Sequence, residues 1–296
     1  MKLVTFARTG RPEEEIGLWL SDGSVIPVAA AGVSAESMNE LILTWNPETE
    51  RKLKQALQHP EEAGEVLAPG ETVLLSPIPR PLQDVLCLGL NYTEHAKEAF
   101  GYSESFTAEK AYPVCFSKRV GYSQGTGAPI PAHEEVTERL DYETELGVII
   151  GRDAWRVPEE EVPKYIFGYT IVNDVSARDL QTRHKQWYFG KSLDGFTPMG
   201  PCIVTADEVA YPPKLKISTV VNGELRQNST TDMLIHGISE IVSTLSFGMT
   251  LKAGSIIATG TPKGVVMGMD SLPFLKRGDV VECRIEGIGS LVNPVE

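Results

Sequence analysis

Residues 140–151 read LDYETELGVIIG, which spaces Asp141, Glu143 and Glu145 two positions apart. On a strand, side chains alternate, so the three carboxylates would share one face, with Glu143 and Glu145 roughly 7 Å apart at Cβ. Carboxylates held that close repel each other unless a cation sits between them. The apolar run 148–150 follows at once, so the pair stands at the entrance to a core. A polar sheet face is the alternative reading of such an E-x-E strand. Asp174 ends the apolar run 169–172 in GYTIVND. It either caps the turn that follows or completes an oxygen site. Three carboxylates with water suit a hard octahedral cation, Mg²⁺ or Mn²⁺, and too few histidines lie nearby for a zinc site.

Three further segments carry candidate chemistry. The stretch SARDLQTRHKQWYFGKSLDGFTPMGP (176–201) brings Arg178, Gln181, Arg183, His184, Lys185 and Lys191 close to the acidic strand. Cations gathered there could bind a carboxylate or an enolate. Arg183, His184 and Lys185 also fit a solvated loop, whereas Lys191 lies in a Gly/aromatic context that can approach a ligand. In GLNYTEHAKE (89–98), His95 and Glu98 are spaced i, i+3 and would meet on a helix. Such a pair can act as a general base toward water, or be an ordinary surface pair. In ATGTPKGV (258–265) a tight turn after a buried strand could aim amides and hydroxyls at an anion. Walker A and G-x-G-x-x-G motifs are absent, which leaves nucleotide and NAD chemistry without support.

The elements that must position these residues are short strands set off by turns. Strand-like runs occur at 2–7, 16–20, 85–90, 146–151, 168–174, 216–223, 255–260 and 279–289. VNGE (221–224) and EGIG (286–289) read as hairpin turns. Residues 34–58 have helical periodicity, broken at Asn46-Pro47. A further helix is predicted over 232–248, with Asp232 as its N-cap and Gly248 as its stop. Residues 99–112 (AFGYSESFTAEKAY) are small, polar and aromatic, as a mobile lid would be. The proline-rich stretch 69–85 reads as extended. It separates a small α+β accessory domain, 1–75, from a β-rich domain, 76–296.

Composition agrees with an ordinary globular protein. Of 296 residues, 42% are hydrophobic and 23% charged, which excludes a disordered chain or a coiled coil. The net charge of −13 disfavours nucleic acid and anionic membrane surfaces as partners. The four cysteines, 87, 115, 202 and 283, form no C-x-x-C pair and read as reduced thiols. No apolar leader or membrane-length run is visible, so a cytoplasmic protein is expected.

In order, GLNYTEHAKE, LDYETELGVIIG, GYTIVNDVSARDLQ, GKSLDGFTPMGP, ATGTPKGV and FLKRGDVVECRIEGIG resemble the motifs of the fumarylacetoacetate hydrolase family, over about residues 76–296. The resemblance implies an α+β, β-rich fold: a mixed β-roll catalytic domain, usually dimeric, behind a small N-terminal domain. It implies Glu143, Glu145 and Asp174 as ligands of one Mg²⁺ or Mn²⁺. His95 with Glu98 would activate water, and Lys191 would stabilise an enolate or oxyanion. Arg178 and Gln181 would support the pocket, and Thr261 would approach the substrate carboxylate. The activity implied is metal-dependent C–C hydrolysis of a 2,4-dioxo acid such as an acylpyruvate or fumarylpyruvate. Oxaloacetate decarboxylation and isomerisation of an unsaturated 2-oxo or 2-hydroxy diacid are alternatives on the same platform, and a non-catalytic binding module is a remote one. Leu90 stands where some relatives have arginine, and Arg119, in FSKR, where many have proline. Both departures bear on substrate choice.

Overall fold

Apolar runs become strands where turn residues bound them, and the pattern holds along most of this chain. The computed structural model describes residues 1–102, 112–269 and 273–296. It opens with β1 (Lys2–Arg8), β2 (Glu14–Trp19) and β3 (Val25–Pro27), then α1 (Met38–Leu43) and α2 (Pro47–Gln58). The two helices divide at Asn46-Pro47 as the sequence predicts. The Asn46 side chain accepts from the Glu48 and Thr49 amides, and Pro47, which has no N–H to satisfy, opens α2. There follow β4 (Thr72–Leu74), β5 (Val85–Gly89), α3 (Thr93–Tyr102), β6 (Val114–Lys118), β7 (Leu140–Asp141), β8 (Thr144–Ile150) and β9 (Ile166–Asn173). After β10 (Ser176–Ala177) come two short helices, α4 (Arg178–Arg183) and α5 (Tyr188–Lys191). The chain ends with β11 (Met199–Thr205), β12 (Lys216–Val221), β13 (Glu224–Thr230), α6 (Ile238–Gly248), β14 (Ile256–Ala258), β15 (Val280–Ile285) and β16 (Gly289–Pro294).

The main sheet runs β3-β2-β1-β11-β9-β8-β14-β5-β6, with β4 paired to β1. Among the described residues, β14 and β5 are the one pair of strands within it that run parallel. Every residue of β8, β9 and β11 is buried, so both faces of these central strands are covered. A second, antiparallel sheet runs β13-β12-β15-β16, and β7 pairs β10 in a two-stranded ribbon. The VNGE turn joins β12 to β13 with Asn222 and Gly223 both at positive φ, 50° and 84°, as a two-residue hairpin requires. The fold is a strand-rich mixture of α and β.

Four features differ from the sequence reading or extend it. The strand expected over 140–151 is interrupted: β7 stops at Asp141 and β8 starts at Thr144, leaving Tyr142 and Glu143 between them. The helix expected from Asp232 starts at Ile238 instead. Asn91 explains the delay. Its side chain accepts from the His236 amide and donates to the His236 carbonyl, and its own carbonyl accepts from the Ile235 amide. These bonds hold 235–236 away from helical pairing. The strands β6 and β11 were not legible as strands. Finally, β1 pairs directly with β11, and Leu3, Leu18 and Ile26 share a core cluster with Ile149, Phe167 and Met199. The first 75 residues therefore extend the same sheet as the rest. Most of the segment read as a lid, 99–112, lies outside the described residues. No helix among the described residues is long and apolar enough to cross a membrane.

Candidate active site

Strand ends gather the carboxylates. Glu143 sits in the break between β7 and β8, Glu145 is the second residue of β8, and Asp174 follows the last residue of β9. The register of β8 against β9 pairs Thr144 with Asn173, which brings the two chain ends together. The Asp174 amide donates to the Glu143 carbonyl, and the Glu143 amide donates to the Asn173 side chain at 3.1 Å. One carboxylate oxygen from each of Glu143, Glu145 and Asp174 lies within 4.8 Å of the others, and all three residues are buried.

Three buried cations face these groups. Lys191 donates to Glu143 Oε2 at 3.0 Å, Asp174 Oδ2 at 2.7 Å and Ser176 Oγ at 2.9 Å, which engages all three ammonium protons. Lys118 donates to Asp174 Oδ1 at 2.5 Å and to the Val175 carbonyl at 2.9 Å. Arg178 donates through Nε to Asp141 Oδ2 at 2.8 Å, and its Nη2 lies 2.6 Å from Glu143 Oε1 as an ion pair off the line of a hydrogen bond. Burial opposes the charge on Glu143, but Lys191 and Arg178 outweigh it and hold the carboxyl below the usual carboxylate range. Burial also pulls Lys118 down from the usual lysine range, partly offset by Asp174.

Glu145 is the exception. Among the described residues it has no cationic partner at ion-pair distance, and its Oε2 accepts from the Gly260 amide at 2.7 Å. Burial, reinforced by Asp174 and Glu143, pushes its carboxyl well above the usual range. An isolated buried carboxylate is costly unless a cation compensates it. The donors are all oxygens, and the electrostatic deficit falls at the point where they converge. The residues present therefore fit a hard divalent cation.

The ATGTPKGV loop does aim amides at anions, but at the protein's own carboxylates. The Gly260 amide meets Glu145, the Gly264 amide meets Glu98 at 3.1 Å, and just past the loop the Val266 and Met267 amides meet Asp141 at 3.0 Å each. Gly264 takes φ +105°, and a Cβ there would lie 2.1 Å from the Arg226 carbonyl oxygen. No other residue type fits that turn without displacing it.

His95 and Glu98 face each other on α3, with Nδ1 3.5 Å from Glu98 Oε2. His95 lines the same pocket as Glu143, Glu145, Arg178, Gln181, Lys191 and Thr261. Leu88, Leu90, Phe116, Trp187 and Met267 form its apolar wall. Gly89 lets Trp187 lie against the backbone: a Cβ at this glycine would fall 2.2 Å from the indole.

The structure thus brings seven of the nine residues singled out in the sequence to one pocket, with Asp174 and Glu98 just behind its wall, each bonded to a residue of the wall or its loop. Gln181 lies one turn after Arg178 and accepts from its Nη1 at 3.1 Å. The Thr261 hydroxyl is already engaged, donating to the Thr144 carbonyl and accepting from Gln227 Nε2. Arg183, His184 and Lys185 are exposed, as a solvated loop would have them. Sequence reasoning passed over Lys118 and the holding role of Asp141. A lone lysine closing the run VCFSK gives no local sign of burial.

A profile of the fumarylacetoacetate (FAA) hydrolase C-terminal domain matches residues 84–296, more than two thirds of the chain. The chain is 47% identical over 225 residues to oxaloacetate tautomerase YisK of Bacillus subtilis (strain 168), covering 76% of this chain and 73% of that one. Among solved structures it is similar to a fumarylacetoacetate hydrolase from psychrophilic Exiguobacterium antarcticum, with TM-score 0.85 and 39% identity, over 100% of this chain and 99% of the other. It is also similar to the maleylpyruvate hydrolase of Sphingobium sp. SYK-6 in complex with manganese(II) and pyruvate, with TM-score 0.76 and 26% identity, over 100% and 98% of the two chains. On the matched profile and on this identity across most of its length, the chain belongs to the fumarylacetoacetate hydrolase family.

Proposed function

We propose that this protein is a divalent-cation-dependent enzyme that interconverts the keto and enol forms of a small 2-oxo acid, with oxaloacetate as its substrate. One observation carries the reading: the buried Glu143–Glu145–Asp174 cluster and His95, backed by Glu98, converge on one pocket. Its similarity to an oxaloacetate tautomerase supports the choice of substrate.

Mg²⁺ or Mn²⁺ held by Glu143, Glu145 and Asp174 would supply Lewis-acid polarisation of the 2-oxo group. The chain's own residues do the rest. Arg178 and Gln181, both buried in the pocket wall, offer a fixed donor and amide to the substrate carboxylate. Lys191 holds Glu143 and Asp174 in place and can turn one ammonium proton to an enolate oxygen by releasing Ser176. With Nδ1 turned to Glu98, His95 keeps Nε2 to move the proton. In the keto-to-enol direction Nε2 removes a proton from C3 and returns it to the oxygen on C2, so atoms and charge balance. The apolar wall of Leu90, Phe116, Trp187 and Met267 limits water at that step.

Hydrolysis of a 2,4-dioxo acid, the activity expected from the sequence, is the second reading. The His95–Glu98 pair favours it, because the same Nε2 can activate water against the distal carbonyl. Purified protein with Mg²⁺ or Mn²⁺, followed by enol absorbance for oxaloacetate and by pyruvate release for oxaloacetate, acetylpyruvate and fumarylpyruvate, separates the two. Accelerated enol–keto relaxation with slow pyruvate release is expected. Pyruvate release from acetylpyruvate that outpaces tautomerisation would put hydrolysis first, and absence of turnover on all three would reject the enzyme reading.

A further inference from the structure

The second sheet reaches the site through one buried amide. Residues of β13 are mostly open to solvent, and Gln227 is its one fully buried residue. The β12–β13 register shifts between Thr219 and Val220: Gln227 faces Thr219 and Leu225 faces Val220, leaving Arg226 unpaired between them. Such an irregularity re-aims the neighbouring side chain, and here it points Gln227 at the backbone between the two glutamates. Gln227 Oε1 accepts from the Thr144 amide at 3.1 Å and from the Thr219 hydroxyl at 2.6 Å. Its Nε2 donates to the Thr261 hydroxyl at 2.8 Å and to the Pro262 carbonyl at 2.6 Å. The Thr261 hydroxyl in turn donates to the Thr144 carbonyl at 2.9 Å. The Thr144 side chain closes the network on Thr219 at 2.5 Å.

Thr144 lies between Glu143 and Glu145, so its amide and carbonyl belong to the two peptide units that carry those carboxylates. Gln227 grips the first directly and the second through Thr261. We infer that Gln227 is a positioning residue: it locks the start of β8 to the 259–264 loop and so sets the spacing of Glu143 and Glu145 about the cation. All four hydrogen-bonding positions of its amide are used, in a fully buried setting, where an unpaired group would be costly. An apolar side chain of the same length could fill the space but not hold the register. The consequence for the cation rests on the metal reading above, while the grip on Thr144 does not.

The test compares Q227M, T219V and the exposed control N228A in two ways. Amide exchange at Thr144 is measured in chelator-treated protein, and Mn²⁺ affinity by calorimetric titration. Q227M should speed Thr144 exchange about tenfold, the loss of one buried hydrogen bond, and weaken Mn²⁺ binding by about the same factor. T219V should move both readouts the same way by less, and carries the comparison alone if Q227M does not fold. N228A should move neither. Thr144 exchange that matches wild type in the folded variants overturns the inference. Faster exchange with unchanged Mn²⁺ affinity overturns the positioning role while leaving the hydrogen bonds real. If wild-type protein takes up no Mn²⁺, the metal reading falls, and exchange at Thr144 alone decides whether Gln227 grips that strand.

Discussion

At the residue scale the site is an unbalanced charge cluster. Asp141, Glu143 and Asp174 each have a buried cationic partner in Arg178, Lys191 or Lys118, and Glu145 has none among the described residues. That asymmetry predicts opposite signs for one substitution in two states. Glu145→Gln removes an uncompensated buried charge, so metal-free protein should unfold at an equal or higher temperature, by about 1–3 kcal/mol of stability. With saturating Mn²⁺ the wild type should be the more stable of the two, because ligand binding stabilises the folded state. Thermal melts with and without Mn²⁺ check both signs. Lys118→Met makes the contrary prediction. It strips Asp174 Oδ1 of its charged partner and should cost about 3–5 kcal/mol, read from denaturant midpoints. Glu145 and Asp174 stand at the ends of apolar runs, which is a local signal, whereas the strand break at 142–143 means that period-two alternation does not account for the place of Glu143. Lys118 was not legible in the sequence, since its burial depends on a partner 56 residues away.

At the element scale, loops rather than regular structure set the geometry. The 259–268 turn spends its amides on Glu145, Glu98 and Asp141, and Asn91 ties the end of β5 to Thr259 and His236. Gly264→Ala should destabilise the protein by more than about 2 kcal/mol, since it adds strain at positive φ to a clash with the Arg226 carbonyl. Denaturant titration checks this. A variant as stable as wild type would show that the turn can relax. Strand positions with apolar runs and the Asn46-Pro47 break were readable because each depends on residues within a few positions. The start of α6 was misread for the opposite reason: Asp232 is a plausible local cap, but the hydrogen bonds of Asn91, more than a hundred residues earlier, decide where the helix begins. The break at Tyr142–Glu143 has the same character. It follows from Asp141 being drawn to Arg178 and to the Val266 and Met267 amides.

At the scale of the whole molecule, one sheet carries both the N-terminal strands, residues 2–27, and the strands that end at the carboxylate cluster. β1 pairs β11, β11 pairs β9, and β9 pairs β8, so three steps across the sheet separate the N-terminal strand from Glu145. A chain of residues 76–296 alone would expose the β11 edge and the apolar faces of Ile149, Phe167 and Met199. It should aggregate or remain unfolded, which size-exclusion chromatography and near-UV circular dichroism can detect. A monodisperse, native-like fragment would show that the first 75 residues are dispensable for folding. The proline-rich stretch 69–85 looked like a boundary in sequence because composition reports chain stiffness, whereas strand pairing across some two hundred residues leaves no local trace.

In the proposed function, Glu143, Glu145 and Asp174 hold one divalent cation on which the chemistry depends. Calorimetric titration of chelator-stripped protein with Mn²⁺ tests it most directly. One ion per chain should bind to the wild type and none, or one held at least a hundredfold or so more weakly, to folded Glu145→Ala. Wild-type stoichiometry and affinity preserved in Glu145→Ala, or no uptake by the wild type, would contradict it.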